Sequence, residues 1–538
     1  MDDTFRSEMA AGYAFDEPCL VLGRPMLGDE VDTGATVRLP LSMVNRHGLV
    51  AGATGTGKTK TLQIMAGQLS DAGVPVFVSD VKGDLTGISQ PGDAAAEPIV
   101  KRVQQLQLPY EARGHPVEML SLTGALGAQI RATISSFGPI LLGKVLDLNK
   151  TQVSVLTLVF AYCDDRRLPL LDLADLRTTL KFLSSEEGKP VLEEYGGFSK
   201  ATIGVLLRSI VELEAAGADA FFGEPEFDVH DLLRTTADGK GVVSLLEISD
   251  VMDRPRLFST FMLWMLAQLY AKLPEEGDLP TPKLAFFFDE AHLLFDDASE
   301  ALMDQIELTA RLIRSKGVGV YFVTQAPTDV PASVLSQLGN RVQHALRAHT
   351  PDDEENLRKT VRTFPKTDHY DVGATLTSLG IGEAFVTVLG PKGVPSPLAA
   401  TRLVPPDSLM DAVDGAAREA LVTGGSLAGK YAQAIDRESA HEIITGRLEG
   451  AAAEVASQEA AGPPLPPPPP GAPPAPAPKP KPAPTPKAKK PTVPAKKDED
   501  SLGEQVKDVG VGFAKDMLTT ADGRRTLRTV FGALFGKK

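Results

Sequence analysis

The stretch "HGLVAGATGTGKTKTLQIMAGQL", residues 47–69, decides how the chain is read. An apolar run, a glycine-rich turn and a helical pattern follow one another in it. Within it, "GATGTGKT" (Gly52–Thr59) fits G-x-x-x-x-G-K-[ST]. Glycine at 52, 55 and 57 permits backbone conformations that a Cβ obstructs. The N–H groups of Gly52, Ala53, Thr54, Gly55, Thr56, Gly57, Lys58 and Thr59 are expected to converge on a β-phosphate at the start of the helix. Lys58 is the expected partner of the β and γ oxygens, and Thr59 the expected Mg2+ ligand. The pattern implies ATP with Mg2+ as the bound pair.

Working outward, "VPVFVSD" (residues 74–80) is a second short run rich in β-branched residues. Strand, loop, helix and strand make a βαβ unit, which implies a parallel sheet in an α/β fold. A phosphate loop needs an acidic partner for the metal and a base for the attacking water. "LAFFFDEAH" (residues 284–292) offers both at the end of a buried strand. Asp289 is expected to hold Mg2+ through water and Glu290 to polarise the nucleophile. His292 is left between sensing phosphate and capping the next helix. "YFVTQ" (residues 321–325) ends another strand in Gln325, a candidate γ-phosphate sensor or a helix cap. Arg314, in "ARLIRSKGVG" (residues 310–319), suits transition-state charge on a neighbouring subunit's nucleotide. It can equally be a surface arginine, and Arg311, Arg341 and Arg347 compete for the role.

The 538 residues fit two to four domains at roughly 150 residues each. Residues 1–45 read as a short N-terminal β element, and 46–138 as the loop-bearing half of the core. Residues 139–216 read as an α-helical insertion, and 217–410 as the rest of the core, ending in a hairpin. Residues 411–461 read as helical. Residues 462–500 form a linker, with 17 prolines between Pro463 and Pro494, a composition that favours an extended spacer. Residues 501–538 read as a basic amphipathic tail. The linker or tail is a candidate site for a protein partner, and the tail equally for DNA, a membrane surface or the protein's own body.

Net charge is −15, yet residues 479–538 hold 14 Lys/Arg against 7 Asp/Glu, so the body is acidic. Such a body does not suit a broad nucleic-acid-coating surface; any DNA contact is expected to be local. With two cysteines, Cys19 and Cys163, a disulfide framework or cysteine metal site is not expected. No apolar run reaches the roughly 18 residues of a membrane span, and the acidic N-terminus lacks a secretory pattern. A cytoplasmic location is the expectation.

Taken together, "NRHGLVAGATGTGKTKTLQ", "SDVKGDLTG", "FFFDEAHLLF", "VYFVTQAPTDVP" and "LGNRVQHALRAHTP" resemble the HerA/FtsK superfamily of P-loop motors, and within it the bacterial HerA-like (YjgR-type) ATPases. The resemblance runs over about residues 15–450. It implies a RecA-like core and self-association into a ring, usually a homo-hexamer, with ATP-driven translocation on DNA. By motif position it implies Lys58 and Thr59 at Walker A, Asp289 and Glu290 at Walker B, Gln325 as sensor and Arg314 as the arginine acting in trans. HerA proteins proper carry a substantial N-terminal β-barrel, whereas about 45 residues precede the loop here. Two other readings stand beside the DNA motor: an ATPase driving protein transport or assembly, and a nucleotide-regulated scaffold. Lys82, Lys144 and Lys150 are the lysines a DNA motor would turn to its track, or else plain surface lysines.

Overall fold

The structure is a computed structural model that describes residues 1–197, 199–295 and 300–461. Its strands, in chain order, are β1 (Cys19–Leu27), β2 (Glu30–Val31), β3 (Val37–Pro40), β4 (Gly48–Ala51), β5 (Val76–Asp80), β6 (Val117–Ser121), β7 (Ala128–Gln129), β8 (Val243–Glu247), β9 (Leu284–Phe288), β10 (Val318–Thr324), β11 (Asn340–Gln343), β12 (Glu383–Thr387) and β13 (Ala399–Leu403). They form one sheet, in the order β2-β1-β13-β12-β11-β4-β10-β9-β5-β8-β6-β7, with β3 also on β1. From β11 to β7 every neighbouring pair is parallel. From β11 outward through β12, β13 and β1 the pairs are antiparallel.

The parallel half is what its sequences dictate. Every residue of β4, β5, β8, β9 and β10 is buried, as strands covered by helices on both faces require. Consecutive phenylalanines on β9 serve opposite faces. Phe286 stacks on Phe77 of β5 at 4.2 Å, while Phe287 stacks on Tyr321 of β10 at 5.0 Å. The helix Lys58–Asp71 joins β4 to β5 and lays Leu62, Met65, Ala66 and Leu69 on the face that also carries Val50, Val78 and Phe287.

Between β7 and β8 lie helices Ile134–Val145, Lys150–Asp165, Leu173–Ser184, Lys189–Glu194 and Lys200–Ala215. Asn149 and Asp172 start two of them with reciprocal capping boxes. Their apolar faces are continuous with the other side of the sheet, where Phe137, Leu156 and Ile210 share a core with Phe286 and Phe322. The helix Ala440–Ala461 packs on Leu173–Ser184, and Asp175 accepts from the His441 amide at 2.7 Å.

The N-terminal segment does not stand apart from this sheet. β1 pairs with β13 from Gly23 opposite Leu403 to Pro25 opposite Thr401. Ahead of it, Asp2 caps a helix, Asp3–Gly12, that buries Phe5 and Met9. The proline-rich linker and basic tail expected beyond residue 461 lie outside the described residues. Among the described residues, no helix is long and apolar enough to cross a membrane.

Candidate active site

The parallel strands end in register. Thr324 of β10 lies opposite Ala51 of β4, Phe322 opposite Phe288, Ser79 of β5 opposite Phe288, and Asp80 opposite Glu247. Gly52, Gln325 and Asp289 therefore leave the sheet at one edge, outside the carboxyl ends where open α/β sheets bind ligands.

The glycine-rich loop is held from both sides. The Gly52 amide donates to Thr324 O at 3.2 Å, and the Ala53 amide to Ala345 O at 2.8 Å. Gly55 and Gly57 take φ of 78° and 111°, which L side chains rarely adopt. The loop then opens into the helix with Lys58 buried and Thr59 half-buried. Lys58 Nζ donates to the Gly52 carbonyl at 2.7 Å and to that of Ala53 at 3.4 Å. Burial holds its pKa below the ordinary lysine value, partly offset by the Glu290 carboxylate.

Beneath the loop sits His344. Its amide donates to Ala51 O at 2.7 Å, and its Nε2 lies 2.8 Å from Thr61 Oγ1. Burial, reinforced by the Lys58 charge, brings its pKa down to about 4, so the ring is neutral. On the other flank the Gly382 amide donates to Thr56 O at 3.3 Å. These partners directly follow β11 or precede β12, far off in sequence.

The acidic pair follows β9. The Asp289 amide donates to Ser79 Oγ at 3.2 Å. Burial, then the neighbouring carboxylates of Glu290 and Asp80, push the Asp289 carboxyl up to about 7. Glu290 adopts left-handed backbone angles (φ 46°, ψ 51°), a conformation that surrounding structure must enforce in a non-glycine residue. Its Oε1 meets Lys82 Nζ at 2.5 Å. Its Oε2 lies 3.6 Å from His292 Nδ1. Asp289 Oδ2 and Glu290 Oε2 are buried and, among the described residues, make no hydrogen bond.

Asp80 shapes the loop that carries Lys82. Its carboxylate accepts the amides of Lys82 at 3.2 Å, Gly83 at 2.8 Å and Leu85 at 3.0 Å. Burial outweighs these bonds and brings its pKa up to about 7. Crowded, desolvated carboxylates beside a loop of amides fit a Mg2+–nucleotide pair, because a cation relieves the repulsion that raises Asp289.

Gln325 is exposed at the same edge, one residue beyond β10. Arg314 lies elsewhere. It precedes β10, at the opposite end of that strand from Gln325, and its guanidinium is 3.5 Å from Asp278. Of its rivals, Arg341 is half-buried on β11, while Arg347 is exposed beyond it and donates to Thr377 O at 3.0 Å.

Motif reading singled out the loop and the acidic pair, but not Asp80, His344 or the bond from Lys82 to Glu290. A strand ending in Asp followed by Lys-Gly was a legible signal for Asp80. His344 carried none, since "NRVQH" is too short and polar to announce a strand.

A glycine-rich loop between a parallel strand and a helix, with an acidic pair on a nearby strand end, defines a P-loop NTPase. The chain belongs to the helicase HerA-like C-terminal family, whose model matches residues 26–538, and is a HerA-like P-loop ATPase. It is 23% identical over 368 residues to the DNA double-strand break repair helicase HerA of Sulfolobus acidocaldarius, covering 68% of this chain and 66% of the relative. It is 22% identical over 370 residues to the protein of the same name from Saccharolobus solfataricus, with the same coverage. The chain thus spans just under two thirds of the length of these relatives. Among solved structures, the plasmid coupling protein TrwB bound to ADPNP, a non-hydrolysable ATP analogue, matches with a TM-score of 0.46 and 14% identity, over 74% of this chain and 98% of that one. VirB4 of Thermoanaerobacter pseudethanolicus matches with a TM-score of 0.41 and 14% identity, over 72% and 98%.

Proposed function

We propose that this chain couples hydrolysis of ATP with Mg2+ to movement along DNA, working as a ring of subunits. The observation that carries the ATPase part is the convergence of Lys58, Asp289 and Glu290 at one sheet edge, with Glu290 buried beside the loop. In this reading Lys58 exchanges the Gly52 and Ala53 carbonyls for phosphate oxygens. Thr59 and Asp289 would hold Mg2+, which supplies charge neutralisation at the β- and γ-phosphates. Glu290 takes the proton of the attacking water as the new P–O bond forms and the bond to the β-phosphate oxygen breaks. Gln325, exposed at the same edge, would sense the γ-phosphate.

A ring is the arrangement in which Arg314 would have a role. It lies beyond the far end of β10 from its own loop, so in this reading it would serve the nucleotide of a neighbouring subunit. A homo-hexamer is the assembly the family resemblance favours. DNA as the track rests on the repair-helicase names of the two HerA relatives. The reading is tested by steady-state ATP hydrolysis with and without single- or double-stranded DNA, using Lys58→Ala as blank. Several-fold stimulation, absent in Lys58→Ala, supports the DNA motor. Hydrolysis that ignores DNA turns the reading toward a protein substrate, which the acidic body would suit.

A further inference from the structure

The bond between Lys82 and Glu290 has no part in the catalytic scheme above, yet it touches the atom that scheme depends on. Lys82 Nζ is 2.5 Å from Glu290 Oε1, and the two side chains differ sharply in exposure, 49% for Lys82 against 8% for Glu290. A half-exposed ammonium thus reaches inward onto a buried carboxylate. Its approach is fixed by the backbone, because Asp80 accepts the amides of Lys82, Gly83 and Leu85. Lys58 Nζ is occupied by two loop carbonyls, so it does not compete for Oε1. A carboxylate oxygen bonded to an ammonium cannot accept from water through that lone pair, and the neighbouring positive charge weakens it as a base.

We propose that Lys82 is a positioning residue that restrains Glu290, and that hydrolysis accelerates when a phosphate of a polyanion outside the site draws Lys82 away. The inference rests on the reading of Glu290 as the base and extends it to regulation. The exposed side of Lys82 gives a nucleic-acid backbone access to the ammonium, while Glu290 stays in place through its enforced backbone. The base is then freed without any rearrangement of the phosphate loop.

The test is steady-state ATP hydrolysis by the full chain, by Lys82→Met and by Lys82→Arg, each with and without double-stranded DNA. Lys82→Gln serves as a second variant should Lys82→Met misfold. Removing the charge is expected to raise the polymer-free kcat roughly fivefold, the scale of a partly exposed ion pair, with KM for ATP unchanged. DNA should then add little further, and Lys82→Arg, which restores the pair, should bring the rate back down. An unchanged or lower kcat in Lys82→Met overturns the restraint. If KM rises as well, Lys82 serves the nucleotide's own phosphates instead. A faster Lys82→Met beside a wild type that ignores DNA upholds the restraint and removes nucleic acid as its release. Absence of hydrolysis in every form overturns the ATPase reading and the restraint with it, whereas equal hydrolysis in all forms overturns the restraint alone.

Discussion

Gly52→Ala tests whether the loop is built as described. A Cβ at Gly52 would lie 2.4 Å from His344 Cβ, 3.0 Å from Thr56 Oγ1 and 3.1 Å from His344 Cα. Carbon atoms in contact prefer about 3.5–4.0 Å, so the first overlap exceeds ordinary packing by about 1 Å. The neighbour cannot yield as a long side-chain tip would, because the contact is at its Cα and Cβ. His344 is also tied at its amide to Ala51 and at its ring to Thr61. Overpacking of this kind costs about 1–3 kcal/mol. That is about five- to 150-fold in the equilibrium between the formed loop and a displaced one. Gly55→Ala is the comparison: no atom lies within 4 Å of its Cβ, and only the positive φ of 78° opposes it, at about 1–2 kcal/mol. Affinity for a fluorescent ATP analogue, measured beside the urea unfolding midpoint, should fall more in Gly52→Ala than in Gly55→Ala. Unchanged affinity and midpoint in Gly52→Ala would refute the packing of His344 under the loop.

Three further outcomes are expected. Lys58→Ala should lose tight ATP binding, since one buried cation is withdrawn from the β- and γ-phosphates; titration with a fluorescent ATP analogue checks it. Asp80→Asn should raise the polymer-free kcat, because an amide group offers one acceptor oxygen where two now hold the Lys82, Gly83 and Leu85 amides, so Lys82 is held less firmly on Glu290. Comparing kcat and KM with wild type checks whether the gain lies in the chemical step. Stability should fall in acid through His344, whose folded pKa of about 4 lies below its unfolded value of 6.5. Below about pH 6.5 the unfolded chain gains a proton there that the folded chain refuses until about pH 4. The stability deficit of His344→Asn relative to wild type should therefore shrink by about 2 kcal/mol between pH 7 and pH 5. Taking the difference between the two proteins cancels the opposite trend of Asp80 and Asp289, whose raised pKa values favour the folded state as pH falls.

The loop, the helix Lys58–Asp71 and the parallel strands were legible because their signals are local. "GLVA", "VFVSD" and "LAFFF" are apolar runs bounded by turn residues, and the glycines and Lys58 stand at fixed offsets. The placement of β1 was not legible, because its partner β13 lies some 380 positions away and neither run names the other. The helix Asp3–Gly12 lacked a strong apolar stripe, with Phe5 and Met9 its buried contacts. β11 is four residues, two of them amides, and reads as loop until β4 and β12 flank it. Lys82 was legible only as a lysine a DNA motor would turn to its track, or as a surface lysine. Its bond to Glu290 spans 208 positions and exists because β5 and β9 are neighbours in the sheet.

In the proposed mechanism Glu290 is the base of an ATP-hydrolysing site formed with Lys58 and Asp289. That role is tested most directly by Glu290→Gln, measuring bound nucleotide and turnover on the same preparation. ATP should remain bound as in wild type, with turnover reduced on the order of a hundredfold or more. Turnover at the wild-type rate in Glu290→Gln would contradict it, and would move the base to another residue at this sheet edge.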